Sequence, residues 1–436
     1  MTVLTNKINK KKLNKKQFLG AFVGACVALG GTVELCGVNV VMAAPADHAT
    51  QQNTTQGISE AESFLTKGIM LAQQKRFAEA IIAYNKAETI AEAKDWPALI
   101  GNVLVNKGVA LIGLHRSAEA LSVYDDIIHR FGTMQNSTMQ LIVATALFNK
   151  GNTLCAIGRN KEAIPVFDEI DRRFGNIKIP GIQIAVARAL YNEGVTLNGL
   201  GRKKEAIAVF DELIRRFGDV QIAAVQEEVI KARYDKAEGI VTSTNAKPSI
   251  IASALVNKGV ALEEFNRNEE ALTVFNEIIH RFGSMQPQDA EMQLALATAL
   301  FNKGNTLCAL GRQTEALAAY NEVERRFGTV QVSAIQIAVV KALYNEGATL
   351  NGIGRKREAI GVFDDIARRF GTVQDPTVQE EVAKALFNKG ITLGELHDRK
   401  GKTAVLKDIV HKFGGSKSPT IQGIVIKAQQ ILERVH

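Results

Sequence analysis

The sequence contains few of the residues that could cross-link a fold or hold a metal ion. It has four cysteines and seven histidines in 436 residues. Cys26 and Cys36 lie near the N-terminus, whereas Cys155 and Cys308 occupy equivalent places in two copies of one sequence block, too far apart to form a disulfide bond. His129, His280 and His411 each lie near the end of a predicted second helix in a different repeat, so they do not converge on a metal either. The sequence therefore predicts no disulfide, no metal site and no cofactor.

The chain also lacks a concentrated excess of one charge beyond its N-terminus. It has 53 basic and 45 acidic residues, a net charge of +8. Six of the lysines lie at positions 7–16, so residues 47–436 carry 47 basic and 44 acidic side chains. Arginine pairs such as Arg172-Arg173 recur, but most have an acid four residues upstream, which favours a solvated surface of ion pairs. Nucleic-acid binding is therefore not expected.

No catalytic constellation is recognisable. Gly401-Lys402-Thr403 is similar to the end of a phosphate-binding loop, but Leu396 stands where that motif needs its first glycine. The adjacent carboxylates of Asp364 and Asp365 lie close to Arg368 on a predicted exposed helix, where they are expected to form ion pairs rather than an acid/base pair. We therefore do not expect an enzyme.

The one long apolar run lies at the N-terminus. The six lysines precede an apolar tract from Phe18 to Met42, which ends in the small residues 43–46. That order is typical of a bacterial export signal, with cleavage after Ala43 or Ala46 and a periplasmic or secreted product. The alternative is an uncleaved membrane anchor over residues 18–42, although Glu34 and several glycines weaken a spanning helix.

The sequence is rich in one internal repeat. The tripeptide Asn-Lys-Gly, or Asn-Glu-Gly, returns along the chain, and its glycines occur in two runs with a spacing of 43 residues. A period of this size marks a solenoid or a similar array. The glycines are Gly108, Gly151, Gly194, Gly259, Gly304, Gly347 and Gly390.

Each repeat has the pattern of two amphipathic helices. Leu147, Gly151 and Leu154 follow helical spacing; after the turn at 158–159, residues 163, 167 and 170 do so again. A glycine inside a helix costs about 1 kcal/mol relative to alanine. We therefore expect a neighbouring helix to come close to Gly151 and its equivalents.

This two-helix unit resembles the tetratricopeptide repeat. The closest match is the segment 64–91, in which the family positions are filled by Gly68, Ala80, Tyr84 and Ala87. The resemblance spans residues 58–415. It implies an all-α fold, a right-handed α-solenoid of antiparallel helix pairs in which the first helices line a concave ligand surface. The units are about nine residues longer than the common 34, which predicts extra turns on the first helix.

A larger block is also duplicated. A shift of 153 residues places 146–155 on 299–308. Between the two copies, a first helix around residues 233–237 has no second helix after it, so we expect a break there. The predicted organisation is a signal peptide or anchor over 1–46, a flexible polar linker over 47–57, a first array over 58–240, a break over 241–249, a second array over 250–415 and a capping helix over 416–436.

The candidate partner-binding surface is the face of the first helices that lies away from their apolar stripe. The asparagine of each tripeptide lies about 200° around the helix from the apolar residue two positions before it. We hypothesise that this asparagine row binds an extended peptide or protein segment, because each amide offers a donor and an acceptor. The resemblance implies the same use of this face. The candidate residues are Asn106, Asn149, Asn152, Arg188, Asn192, Asn257, Asn302, Asn305, Lys341, Asn345, Lys384 and Asn388.

Two alternatives stay open at the level of sequence. The asparagines could bond to a neighbouring helix, or simply survive from duplication. The protein would then be a passive structural or assembly component of the cell envelope without a discrete ligand. A membrane partner is expected only if the N-terminal segment is retained.

Overall fold

The computed structural model describes residues 52–243, 246–284 and 289–434. Within these ranges the chain is all-α and has no strand. The predicted export signal over residues 1–46 lies outside them. Among the helices that are described, none combines the length and the apolar character needed to cross a bilayer.

The described residues form 18 helices, which alternate between the first and the second helix of a repeat up to α8 and again from α10. In chain order they are α1 (Gln52–Gln73), α2 (Phe77–Ala93), α3 (Pro97–Gly113), α4 (Ser117–Phe131), α5 (Ser137–Ala156), α6 (Asn160–Phe174), α7 (Pro180–Gly199), α8 (Lys203–Phe217), α9 (Ala223–Val241), α10 (Pro248–Glu264), α11 (Asn268–Phe282), α12 (Ala290–Ala309), α13 (Gln313–Phe327), α14 (Ser333–Gly352), α15 (Lys356–Phe370), α16 (Pro376–Glu395), α17 (Arg399–Phe413) and α18 (Pro419–Glu433).

The helices fall into two compact units that divide within α9, between Asp235 and Lys236. The first unit contains α1 to α8 and most of α9, and the second contains α10 to α18. Because α9 and α10 are both first helices, the repeat that begins with α9 has no second helix. One boundary differs from the sequence prediction: residues 52–57, which were expected in a flexible linker, belong to α1.

In seven of the first helices, the mid-helix glycine receives an aromatic ring from the second helix of the same repeat. A Cβ added at Gly151 would lie 2.5 Å from Cε1 of Phe167, and one at Gly304 would lie 2.3 Å from Cε1 of Tyr320. The close approach expected from the sequence is therefore confirmed, but a side chain makes it rather than the backbone of the second helix. At Gly390 the ring is replaced by Leu406, which lies farther away at 3.3 Å.

Within each unit, successive first helices pack on one another. In the first unit α3 packs on α5 and α5 on α7; in the second unit α10 packs on α12, α12 on α14 and α14 on α16. Across the described chain, no pair of successive second helices packs as closely. The first helices of each unit therefore form one continuous layer. The surface of this layer that lies away from the second helices is called the inner face below.

Successive second helices are joined at their C-terminal ends by arginine. Arg216 donates to the carbonyl oxygen of Gly175 at 2.7 Å, and Arg369 donates to that of Gly328 at 2.7 Å. These glycines end the preceding second helix, where backbone carbonyls have no partner within the helix and the dipole favours a cation. The sequence predicted that both arginines of each pair are solvated. That prediction is wrong for the second arginine, which bonds to the preceding second helix. The first, such as Arg368 with its side chain 74% exposed, does lie in solvent.

Candidate functional site

The inner faces of α5 and α7 bring two of the predicted asparagines together. Nδ2 of Asn192 donates to Oδ1 of Asn152 at 2.7 Å. The second unit repeats this contact between α12 and α14, where Nδ2 of Asn345 donates to Oδ1 of Asn305 at 2.7 Å. These amide pairs bond neighbouring first helices to each other.

Each amide pair keeps one donor and one acceptor open. Nδ2 of Asn152 and Oδ1 of Asn192 make no hydrogen bond to the described part of the chain, and the same holds for Nδ2 of Asn305 and Oδ1 of Asn345. All four side chains are half-buried on the inner face. An amide that is already fixed by one bond presents its remaining atoms in a defined direction, which suits the peptide groups of an extended ligand.

Aromatic side chains lie next to the amide pairs. Phe148 and Tyr191 in the first unit, and Phe301 in the second, pack their rings on aromatic rings of second helices at centroid distances of 6.4, 6.1 and 6.5 Å. Their role in packing is therefore confirmed. The same residues are half-buried rather than buried, so part of each is accessible to solvent.

A tyrosine hydroxyl links each unit's site to its next first helix. Tyr191 donates to Oδ2 of Asp235 at 2.8 Å, whereas in the second unit Nδ2 of Asn388 donates to the hydroxyl of Tyr344 at 3.1 Å. Burial raises the pKa of both tyrosines, so both hydroxyls stay protonated at neutral pH. The tyrosine hydroxyl therefore donates the hydrogen bond in the first unit and accepts it in the second.

A buried glutamate accompanies the cations of each site. Glu228 is 5% exposed and Glu381 is 6% exposed. Nζ of Lys231 lies 3.2 Å from Oε1 of Glu228, and Nζ of Lys384 lies 2.8 Å from Oε1 of Glu381. Burial raises the pKa of the Glu228 carboxyl, and the Lys231 ammonium opposes that shift. Neither carboxylate is therefore left as an isolated buried charge.

The remaining cation differs between the two units. Nε of Arg188 lies 3.7 Å from Oε1 of Glu228. Its equivalent, Lys341, is half-buried and forms no ion pair with any residue that the structure describes. A half-buried ammonium without a carboxylate can attract an anionic group from outside the chain.

Two of the other candidate asparagines are buried, and the rest are not. Asn106 is 5% exposed and donates to the carbonyl of Asn102 at 2.8 Å within α3, and Asn302 is 9% exposed. Asn149 is half-buried and Asn257 is exposed. The row is therefore not one continuous ladder, and its buried members are left out of the proposal below.

Four charged residues of the two sites were missed by sequence reasoning. Lys231 and Asp235 lie at the site of the first unit, yet only their second-unit counterparts Lys384 and Asn388 were candidates. The buried glutamates Glu228 and Glu381 were candidates in neither unit. The shift of 153 residues that relates the two blocks also relates Lys231 to Lys384 and Asp235 to Asn388. Applying it to every candidate would have found Lys231 and Asp235, whereas burial of a glutamate has no such signal in one sequence.

The thiols of the array belong to packing contacts. Sγ of Cys155 lies 3.4 Å from Oγ1 of Thr196, and Sγ of Cys308 lies 3.5 Å from Oγ1 of Thr349. Both cysteines are unpaired, and burial raises the pKa of the Cys155 thiol, which makes it less reactive. Within the described ranges, no three His, Cys, Asp or Glu side chains converge as metal ligands would.

Comparisons with known proteins agree with the helical repeat. Three segments, 61–94, 188–219 and 256–330, match the tetratricopeptide repeat. No curated protein matches the chain.

Solved structures of low similarity include three helical proteins. A tetratricopeptide repeat protein from Parabacteroides merdae is 14% identical, with 75% of this chain and 99% of that chain covered and a TM-score of 0.30. An engineered protein is 17% identical, with 88% of this chain and 96% of that chain covered and a TM-score of 0.32. NprR in complex with its cognate peptide NprX is 13% identical, with 89% of this chain and 99% of that chain covered and a TM-score of 0.32. Likeness at this level carries no information about a ligand.

Proposed function

The chain is a tetratricopeptide-repeat-like α-solenoid, and from that premise we propose that it is a non-enzymatic scaffold that binds an extended polypeptide segment on the inner face of its first helices. The observation that carries this proposal is the pair of open amide atoms in each unit. One is a donor and one is an acceptor, as a peptide group of a ligand requires. Beside them, the half-buried rings of Phe148 and Phe301 offer apolar surface to side chains of the ligand.

The alternative is a structural component of the cell envelope without a ligand. It is favoured by the same amide pairs, because their bonds already hold α5 to α7 and α12 to α14. The two functions differ in what the open amide atoms do. Only a scaffold that binds peptides needs them.

We expect a library of random 15-residue peptides, displayed on phage and panned against the purified protein, to yield an enriched family of sequences. The double variant Asn152→Ala and Asn305→Ala removes both open donors, and we expect it to weaken binding of a synthetic enriched peptide about fivefold or more, since each lost hydrogen bond is worth about 1 kcal/mol. Fluorescence anisotropy measures the affinity.

A matched control separates this effect from a general loss of polarity. The side chains of Arg215 and Arg368 are 70% and 74% exposed and lie at the ends of second helices, away from the inner face. The double variant Arg215→Ala and Arg368→Ala should bind the peptide as the parent protein does. Failure to enrich any peptide, or equal weakening in both double variants, would favour the structural alternative.

We also propose that the protein is exported. The lysine-rich start, the apolar tract over residues 18–42 and the small residues at 43–46 support this proposal. N-terminal sequencing of the protein recovered outside the cytoplasm should begin at Ala44 or Asp47. A chain that starts at Met1 and stays in the membrane fraction would instead indicate the anchor.

A further inference from the structure

A buried tyrosine hydroxyl bonds to the amide pair of the second unit. The hydroxyl of Tyr320, a residue of α13 that is 1% exposed, donates to Oδ1 of Asn305 at 2.8 Å. Nδ2 of Asn345 donates to the same oxygen at 2.7 Å. Burial raises the pKa of Tyr320, so its hydroxyl stays protonated at neutral pH and remains a donor. Both lone pairs of the Asn305 carbonyl oxygen are therefore occupied by the protein itself.

The first unit lacks this hydroxyl. The shift of 153 residues relates Tyr320 to Phe167, whose ring occupies the same place against the mid-helix glycine of its repeat. Phe167 is fully buried and has no polar atom to offer. Within the described chain, Oδ1 of Asn152 therefore accepts only the hydrogen bond from Asn192.

The hydroxyl determines which way the amides point. In the first unit both amides can turn over together, because Asn152 would then donate to Asn192 and their mutual hydrogen bond would be kept. The open donor and the open acceptor would exchange places. In the second unit the same reversal would turn Nδ2 of Asn305 towards the hydroxyl of Tyr320. Within the described chain, that buried hydroxyl would be left with Sγ of Cys308 as its acceptor, at 3.7 Å, and sulfur accepts only weakly.

We propose that Tyr320 is a positioning residue of the second unit, which fixes the open donor on Asn305 and the open acceptor on Asn345 so that a peptide group of the ligand fits in one orientation only. The first unit, with Phe167 at that place, accepts either orientation. This inference rests on the proposed function and adds the polarity with which the ligand is bound. Because Tyr320 is buried, it acts through Asn305 rather than by contact with the ligand.

The probe is a synthetic peptide enriched in the panning experiment, together with its retro-inverso form, which is built from D-residues in reverse order. That form keeps the placement of the side chains but reverses every peptide N–H and C=O. Asn152→Ala leaves the second unit as the intact site of the full chain. In this background we expect the dissociation constants of the two peptides to differ about fivefold in fluorescence anisotropy, the effect of about one hydrogen bond.

Tyr320→Phe in the same background should make the two dissociation constants nearly equal. Phenylalanine fills the same place in four repeats, so the variant keeps the packing. A general loss of stability would weaken both peptides alike and leave their ratio unchanged. Tyr124→Phe is the matched control, because Tyr124 lies against Gly108 in the same way but no asparagine follows that glycine. It should leave the ratio as it is.

Phe167→Tyr tests the inference in the opposite direction. In an Asn305→Ala background, where the first unit holds the intact site, we expect the two peptides to bind about equally. The added hydroxyl should create a several-fold preference for one of them. Its surroundings match those in the second unit, since the neighbouring thiol makes the same threonine contact in both units, at 3.4 and 3.5 Å.

The outcomes separate the two proposals. If no peptide is enriched, the proposed function fails and this inference fails with it. If a peptide binds but the second unit does not distinguish the two forms, only the present inference is overturned. The same holds if Tyr320→Phe leaves their ratio unchanged or Phe167→Tyr creates no preference.

Discussion

The Gly304→Ala variant is expected to lose up to about 2 kcal/mol of unfolding free energy. The new Cβ would lie 2.3 Å from Cε1 of Tyr320, a ring that is 1% exposed and whose hydroxyl donates to Asn305 at 2.8 Å. The ring is therefore held in place and cannot move aside without disturbing its neighbours. Overpacking of this kind costs about 1 to 3 kcal/mol, and the higher helix propensity of alanine offsets about 1 kcal/mol of that cost.

The chain supplies its own control at Gly390. There a Cβ would lie 3.3 Å from Cδ2 of Leu406, so a small shift of a flexible side chain removes the contact. Gly390→Ala should be neutral or stabilising by up to about 1 kcal/mol, because the gain in helix propensity is then nearly unopposed. Urea unfolding of both variants measures the difference. Equal losses at the two positions would show that ring contact is not why the glycine is required.

The second large effect concerns the residue directly before the mid-helix glycine, which is acidic in two repeats and a lysine in the others. In three other repeats the residue is a lysine that pairs with an acid of the preceding second helix: Lys107 pairs with Glu88 at 2.7 Å, Lys150 with Asp125 at 2.6 Å and Lys389 with Asp364 at 2.5 Å. The same position is Glu193 in α7 and Glu346 in α14. Glu193 therefore faces Asp168, which holds the place of Asp125, and Glu346 lies in the field of Glu324 and Asp365.

Burial raises the pKa of Glu193 to about 7, and the carboxylates of Asp168 and Asp171 add to that shift. Burial likewise raises the pKa of Glu346 to about 7, with Glu324 acting in the same direction. Since the ordinary value is 4.5, the folded chain binds more protons than the unfolded chain between about pH 4.5 and 7. Stability should therefore rise as the pH falls through this window and decline as the pH rises through 7.

The double variant Glu193→Gln and Glu346→Gln tests this pH dependence. Glutamine cannot ionise, so at pH 8 we expect the variant to be more stable than the parent by about 1 to 3 kcal/mol per site, an upper range since part of each side chain is solvated. At pH 5 the advantage should largely vanish. Thermal or urea unfolding measured from pH 5 to pH 8 gives the profile.

Exposed acids of α1 provide the matched control. Glu60→Gln and Glu62→Gln together remove the same charge from solvent-exposed positions. That pair should leave the slope of stability against pH unchanged. If it alters the slope as much as the Glu193 and Glu346 substitutions do, net charge rather than burial explains the effect.

The sequence predicted the helical repeat and the need for each mid-helix glycine, because both follow from local spacing. It did not predict that Asn106 and Asn302 are buried. A helical wheel assumes one apolar stripe, but a first helix here packs on second helices and on neighbouring first helices as well. Asn302 lies away from the stripe and is still 9% exposed.

The arginine pairs show a second limit of sequence reasoning. An acid four residues upstream predicts an ion pair within the same helix, and Arg369 does pair with Asp365 at 3.0 Å. The same guanidinium also bonds Gly328 and Glu324, which are 41 and 45 residues away. Contacts between repeats depend on how the helices stack, which spacing within one repeat does not encode.

Hydrogen exchange of the protein with and without a saturating enriched peptide tests the central claim most directly. The account predicts slower exchange in α5 and α7 and in α12 and α14, with little change in the second helices α6, α8, α13 and α15. Protection confined to the second helices or to α18 would contradict it, because the ligand would then lie outside the inner face of both units.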